Sequence, residues 1–245
     1  MISKNQIKLI KSLQNKKDRN DLGLFLVEGA KNTLELLNSD FQIKELFITE
    51  EFLTKNEIAL NEKNIKYNLT TQDELEKTGS LESNDSALAI VKQKDISNLE
   101  IENNEIIIAL DEIKDPGNLG TIIRIADWYG IKKIVASGDT VDFYNPKVIS
   151  ATKGSFIRVQ IFYTDLEKFL SNTKIPILGA FLGGENIHKF NFPKAGILVM
   201  GNESRGIGQE IEKCVTQKIT IPSFGGAESL NVAIATAVIL DNWKR

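Results

Sequence analysis

A chain of 245 residues with 42% hydrophobic and 26% charged content has the makeup of a globular protein, long enough for one large core or two modest ones. Its one cysteine, Cys214, excludes a disulfide framework and a thiolate metal cluster, and its one histidine, His188, leaves metal sites and histidine-based triads almost nothing to work with, so no metal site is expected. The net charge of −3 argues against a nucleic-acid partner by total but not by distribution: Lys4, Lys8, Lys11, Lys16, Lys17 and Arg19 face only Asp18 within the first twenty residues.

That basic arm opens the chain. Ser3 is placed to cap a helix whose apolar positions Ile7, Ile10 and Leu13 recur every third residue between lysines. The lysines either steer toward phosphate or form a solvated helix face, and charge alone does not choose between the two. After a polar break the pattern predicts a strand at 24–27 and a helix opened by Gly29, with Leu34, Leu36 and Leu37 to bury. A strand at 43–49, a helix at 51–60 and a strand at 65–69 follow. Thr71, Gln72, Asp73 and Glu74 form a capping box before a short helix, and a strand at 87–91 closes a small α/β unit. From 92 to 105 the chain turns polar, and Asp95, Glu100, Glu102 and Glu105 cluster there. The division expected is an N-terminal domain at 1–93, a linker at 94–104 and a second domain at 105–245.

The second domain opens with IIIAL at 106–110, apolar at every residue and so a parallel strand buried on both faces. In the following DEIKDPGNLGTIIRIADWYG, Asp115, Pro116 and Gly117 make a turn and Asn118 is the expected helix cap. Ile122, Ile123, Ala126 and Trp128 are the buried stripe of that helix, which also carries Arg124. Strands are predicted at 133–136, 158–162, 175–182, 196–200 and 218–221. Helices are predicted at 145–152, where Asn145 and Pro146 mark the start, and at 165–171 and 207–214, with a long small-residue helix at the end. This alternation implies a parallel sheet with helices on both faces. No run of eighteen apolar residues and no secretory-type leader occur, which predicts a cytoplasmic protein without a membrane span.

Chemistry is concentrated where two apolar runs break into glycine and small polar residues, at GNESRGIG (201–208) and PSFGGAESLN (222–231). Buried parallel strands that end side by side in such loops make a pocket beyond their carboxyl ends. No G-x-G-x-x-G follows the first strand of either half, and Gly183-Gly184 is too short a signal, which disfavours a Rossmann-type nucleotide enzyme. Taken singly, the remaining signals are ambiguous. Asn118 and Arg124 read as a cap and a surface arginine or as a ligand-binding turn. Glu203 follows directly on a buried strand and calls for a partner there. If Ser229 simply caps the last helix, Asn231 falls inside its first turn, where asparagine gains little, which counts against that reading. Ala233, Ala235 and Ala237 allow that helix to approach a neighbour closely.

Together, NLGTIIR at 118–124, GNESRGIG at 201–208 and IPSFGGAESLNVAIA at 221–235 resemble, in order and spacing, the three motifs of the SpoU (TrmH-type) RNA ribose 2′-O-methyltransferases of the SPOUT superfamily. FLVEGAKNTLELL at 25–37 with IKELFIT at 43–49 resembles that family's N-terminal RNA-binding domain, which is similar to a ribosomal-protein fold. The resemblance implies an α/β protein whose parallel-sheet domain is tied in a deep trefoil knot, with a small α/β RNA-binding domain before it. It implies S-adenosylmethionine as cofactor, held bent within the knot, and a homodimer. The implied activity is methylation of a ribose 2′-hydroxyl in ribosomal RNA; transfer RNA as the target, or a non-catalytic RNA-binding or ribosome-assembly role, are the rival readings.

By position in the motifs, the resemblance implies that Gly201, Ile221 and Leu230 contact the cofactor through backbone groups, with Phe181 and Asn202 nearby. Arg124, Glu203, Ser229 and Asn231 would form the reacting site, with Asn118 supporting Arg124, and the arginine would come from the opposite subunit. A guanidinium stays charged in proteins, so Arg124 is expected to bind phosphate and stabilise alkoxide charge rather than take a proton. Glu203, or Ser229 with Asn231, would position the hydroxyl or accept its proton. Only RNA offers that hydroxyl, and Lys147, Lys153 and Arg158 are expected to extend the RNA-binding surface.

Overall fold

A computed structural model describes residues 1–62, 65–95, 100–102 and 104–245. The predicted linker at 94–104 includes residues 96–99 and 103, which lie outside the described residues. Two compact units result, one formed by residues 1–95 with 142–157 and the other by 96–141 with 158–245.

In the first unit Ser3 caps α1 (Lys4–Ser12) and shares a reciprocal capping box with Gln6. The polar break after it is a second helix, α2 (Lys16–Leu22), capped by Asn15 and closed by Gly23 in the left-handed conformation. Its seven residues carry no apolar stripe, which is why periodicity passed over it. Strands β1 (Leu24–Glu28), β2 (Ile43–Ile48), β3 (Asn68–Leu69) and β4 (Ala87–Lys92) form a sheet in the order β1-β4-β2-β3. The strand predicted at 65–69 is therefore only two residues long. Helices α3 (Ala30–Leu37), α4 (Glu50–Glu62) and α5 (Gln72–Thr78) lie between the strands in the chain. At the capping box predicted at 71–74, Thr71 accepts from the Glu74 N–H, and the Glu74 carboxylate, held below its ordinary pKa by the Thr70 hydroxyl and by the Ile2 and Thr71 backbones, also ties the amino terminus to α5.

Residues 142–157 complete this unit. Helix α7 (Pro146–Thr152) packs on β1, and Phe156, just beyond it, meets Phe25 and Phe41 at ring-centroid distances of 6.2 and 5.8 Å. Arg19, 1% exposed, anchors the segment: it donates to the carbonyls of Leu13 and Gln14 at 3.0 Å and pairs with Asp142 at 2.5 Å. Burial pushes the Tyr144 hydroxyl up to about 12, and its oxygen accepts from the Lys94 N–H.

The second unit is built on an all-parallel sheet in the order β10-β8-β9-β5-β6-β7. Its strands are β5 (Ile106–Leu110), β6 (Lys133–Ser137), β7 (Gln160–Thr164), β8 (Ile177–Asn186), β9 (Gly196–Met200) and β10 (Gln217–Thr220). Central β5 and β9 are buried at every residue, as an apolar run covered on both faces must be. Ile107, Ala109, Ile197 and Val199 pack with Leu166 and Leu170 of α8 (Leu166–Ser171) and Ile211 of α9 (Gln209–Cys214). On the opposite face α6 (Pro116–Trp128) and α10 (Val232–Lys244) pack on each other. There the Trp243 ring comes within 3.1 Å of where a Cβ on Gly196 would lie. Trp128 departs from its expected burial and stands 84% exposed. No helix among the described residues is long and apolar enough to cross a membrane.

Candidate active site

Three loops leave the carboxyl ends of β5, its neighbour β9 and, beyond β8, the edge strand β10, and side-chain hydrogen bonds join them. After β5, Asp111 donates its N–H to the Met200 carbonyl, and its carboxylate accepts from the Gly208 N–H at 2.7 Å. Burial raises the pKa of that carboxyl; the Gly208 hydrogen bond opposes the rise and the neighbouring Glu112 adds to it. Glu112 takes a left-handed backbone (φ 54°), which lets its carbonyl accept from the Asn202 amide at 2.9 Å. Sequence reasoning passed over both acids, although they directly follow a buried strand.

The second loop, 201–208, closes on itself: Asn202 and Gly206 exchange backbone hydrogen bonds of 2.9 and 2.8 Å, and the Asn202 side-chain oxygen accepts from the N–H groups of Ser204 and Arg205. A Cβ on Gly201 would lie 2.2 Å from the Gly206 carbonyl carbon, so glycine is required there by contact with the returning chain.

The third loop ends at α10, whose cap is Asn231, so the reading with Ser229 as the cap does not hold. The Asn231 side-chain oxygen accepts from Ala233 and Ile234 at 3.0 and 3.3 Å, satisfying donors that a serine two residues earlier does not reach. The predicted cap at Asn118 is likewise displaced. Asp115 caps α6 by accepting from the Asn118 N–H at 2.7 Å, which frees the Asn118 side chain.

That freed amide joins the three loops. With its oxygen committed to α10, Asn231 can offer Asn118 only its NH2, and it donates to the Asn118 oxygen at 2.8 Å. Asn118 must then turn its own NH2 outward, where it donates to Glu203 Oε1 at 2.8 Å. Glu203, expected to be costly where it stands, is in fact exposed, and Asn118 is its partner. Asn118 thus holds Glu203 and Asn231 together.

Beside this chain lies a cleft of about 750 Å³. Phe181, Gly201, Asn202, Glu203, Ile221, Ser229 and Leu230 all line it, and Asn118 and Asn231 border it through Glu203. Arg124 does not line it. It is exposed on α6, six residues and about 9 Å of helix beyond Asn118, and makes no hydrogen bond or ion pair with a described residue. Arg158, 44% exposed, forks onto Asp127 of α6 at 2.9–3.0 Å within the second unit.

One cleft wall was foreshadowed by the discounted Gly183-Gly184. Strand β8 runs on past the predicted end at 182, but its register with β10 jumps: Lys218 pairs with Gly179, and Ile219 with Glu185. The five residues skipped bulge from the ladder, and Ala180, Phe181, Leu182 and Gly183 line the cleft. Gly184 lets this bulge lie on β10, since a Cβ there would meet the Lys218 carbonyl oxygen at 2.7 Å. Lys218, also unforeseen, sits 4.9 Å from the Phe181 ring centroid and pairs with Glu212.

Residues 105–241, which include every loop just described, match the SpoU rRNA Methylase family model. The chain belongs to the SpoU family. Residues 4–89 match a second model, the MRM3-like substrate binding domain. Among relatives of this SpoU-family protein is the 23S rRNA (guanosine(2553)-2′-O)-methyltransferase RlmP of Bacillus subtilis. It is 27% identical over 243 residues, an alignment covering 97% of this chain and 96% of RlmP. A TrmH-family protein from Porphyromonas gingivalis superposes with a TM-score of 0.85 at 31% identity, over 99% of this chain and 98% of its own. An AdoMet-bound rRNA methyltransferase from Sinorhizobium meliloti gives a TM-score of 0.86 at 26% identity, over 100% and 96%.

Proposed function

We propose that this SpoU-family protein transfers the methyl group of S-adenosylmethionine to a ribose 2′-hydroxyl of RNA, with ribosomal RNA as the substrate class. The observation that carries the proposal is the hydrogen-bonded chain Asn231–Asn118–Glu203, which presents a carboxylate at the rim of a mostly apolar cleft.

The cleft suits the cofactor on its own chemistry. Leu182, Ile219 and Leu230 provide apolar walls for a purine, as small-molecule sites commonly do. The N–H groups of Gly201, Ile221 and Leu230 donate to no described residue and are available along the cleft for ring and ribose acceptors. Glu228 adds a carboxylate for an ammonium group. When bound, S-adenosylmethionine supplies a methyl group activated on a sulfonium.

The chain's own residues do the rest. Glu203 is held through Oε1, which leaves Oε2 to take the proton of an incoming hydroxyl. Ser229, on the cleft wall, orients that hydroxyl, and the wall excludes water. Arg124 stands away from its own cleft, so in the proposal it serves the cleft of a second copy, binding the phosphate beside the target ribose and stabilising charge on the oxygen. The homodimer forms on the α6–α10 face, where Trp128 and Ile234 are 84% and 52% exposed. The carboxy-terminal chain threads as a deep trefoil knot, a rare exception to unknotted topology. The first unit holds the RNA. Lys4, Lys8, Lys11, Lys16 and Lys17 form no ion pair with a described residue, which leaves their charge for phosphate. The cytoplasm is the proposed location.

The test is incubation with methyl-labelled S-adenosylmethionine and unmodified ribosomal RNA transcripts, followed by digestion to nucleosides. Label in 2′-O-methylated nucleosides is expected. Label in bases, label only in transfer RNA supplied alongside, or none at all would overturn the proposal.

A further inference from the structure

The loop that ends the cleft carries a side chain to which the scheme above gives no task. Phe224 is 94% exposed, more than any other aromatic among the described residues. Leaving a phenyl ring in water forgoes the burial that usually justifies its presence. Its surroundings offer no cover from the loop itself: Gly225 and Gly226 follow it, and a Cβ on either would meet nothing within 4 Å. The side-chain hydrogen bond at this tip runs from the Ser223 hydroxyl to the Gly225 carbonyl. Pro222 restricts the backbone just before it.

The ends of the same loop are fixed at the reaction site. Ile221, Ser229 and Leu230 line the cleft, and Asn231 is bound into the chain that holds Glu203. Phe224 stands three residues after Ile221 and five before Ser229, so its ring is tethered within a few residues of the cleft lining on both sides. Whatever ribose presents its 2′-hydroxyl to Glu203 also presents its base close by, since the carbon bearing that hydroxyl is bonded to the carbon bearing the base. A base taken out of its stack exposes two flat faces, and aromatic side chains are the usual partner for them.

We infer that Phe224 stacks on the base of the nucleotide being methylated, so that this loop selects an unstacked nucleotide as well as closing the cofactor cleft. The inference rests on the proposed RNA methylation and adds a substrate-binding residue to it. A base is favoured over a second copy of the chain as the occupant because the loop is continuous with the reaction site and bears one isolated ring in place of a broad apolar face.

Wild type, Phe224→Ala, Phe224→Leu and Phe224→Trp are compared with ribosomal RNA transcripts as substrate and S-adenosylmethionine as methyl donor. S-adenosylmethionine affinity is measured by calorimetry without RNA, and mass by analytical ultracentrifugation. Phe224→Ala is expected to raise the KM for RNA roughly tenfold or more, in line with the cost of losing one stacked base. Cofactor affinity and mass should stay within error of wild type, Phe224→Trp should restore the KM, and Phe224→Leu should not. An unchanged KM in Phe224→Ala overturns the inference, and rescue by leucine equal to that by tryptophan shows bulk in place of stacking. A fall in mass assigns the ring to a protein interface, and lost cofactor affinity assigns it to the cleft; either overturns it. Failure of the underlying reaction is distinguishable, because wild type itself would then methylate no RNA.

Discussion

Replacing Asn118 with alanine separates the chemistry of the site from the stability of the fold. The substitution removes the 2.8 Å donor to Glu203 Oε1 and the acceptor of the Asn231 amide, while Asp115 still caps α6 through the backbone N–H at position 118. Hydrogen bonds to charged groups contribute about 1.5–3 kcal/mol, and the exposure of Glu203 puts this one at the low end, near a tenfold loss in rate. Alanine is the better helix former by about half a kcal/mol, so stability should hold or rise slightly. The expected outcome is therefore a roughly tenfold lower kcat at saturating RNA and cofactor, with an unchanged or higher midpoint of thermal unfolding and unaltered S-adenosylmethionine affinity. A kcat within twofold of wild type would refute the argument that Asn118 positions the carboxylate. A midpoint lowered by several degrees would show that the amide is needed for the fold instead.

Gly201→Ala should abolish cofactor binding by calorimetry while the protein remains folded by circular dichroism, because the new methyl would lie 2.2 Å from the Gly206 carbonyl carbon and force the loop open; retained affinity would contradict this. Arg19→Ala strands Asp142 and two carbonyls in a buried setting, and a loss of about 3–5 kcal/mol in urea unfolding is expected, against a smaller loss for Asp142→Asn. The raised pKa of Asp111 means that the folded state holds its proton more tightly than the unfolded chain does. This group therefore contributes stability that is full below the ordinary aspartate range and is lost as pH rises to the folded-state value. Asp111→Asn should remove that part of the decline between acid and neutral pH, and a stability profile parallel to wild type would count against the assignment.

Much of this architecture was legible as local signal. The uniformly apolar run at 106–110 is the central strand β5, and the glycine breaks after 200 and 221 are the loops that line the cleft. Where sequence reasoning slipped, two adjacent candidates competed and a contact from far along the chain chose between them. Asp115 and Asn118 are both good caps for α6, as Ser229 and Asn231 are for α10. Asn118 is drawn out of the capping role by residues 85 and 113 positions away, which no local pattern contains.

By itself the sequence settled the succession of strands and of every helix that carries an apolar stripe, the places where buried strands give way to glycine, and the family motifs, because periodicity, caps and turn residues act over a few neighbours. Tertiary structure alone decided that Asn118 holds Glu203, that Arg124 is not part of the cleft lining, that four residues of the β8 bulge line it, and that residues 142–157 complete the first unit. Each of these depends on which distant segments the strand order makes neighbours, and on the need of buried amides, carbonyls and charges to find partners among them.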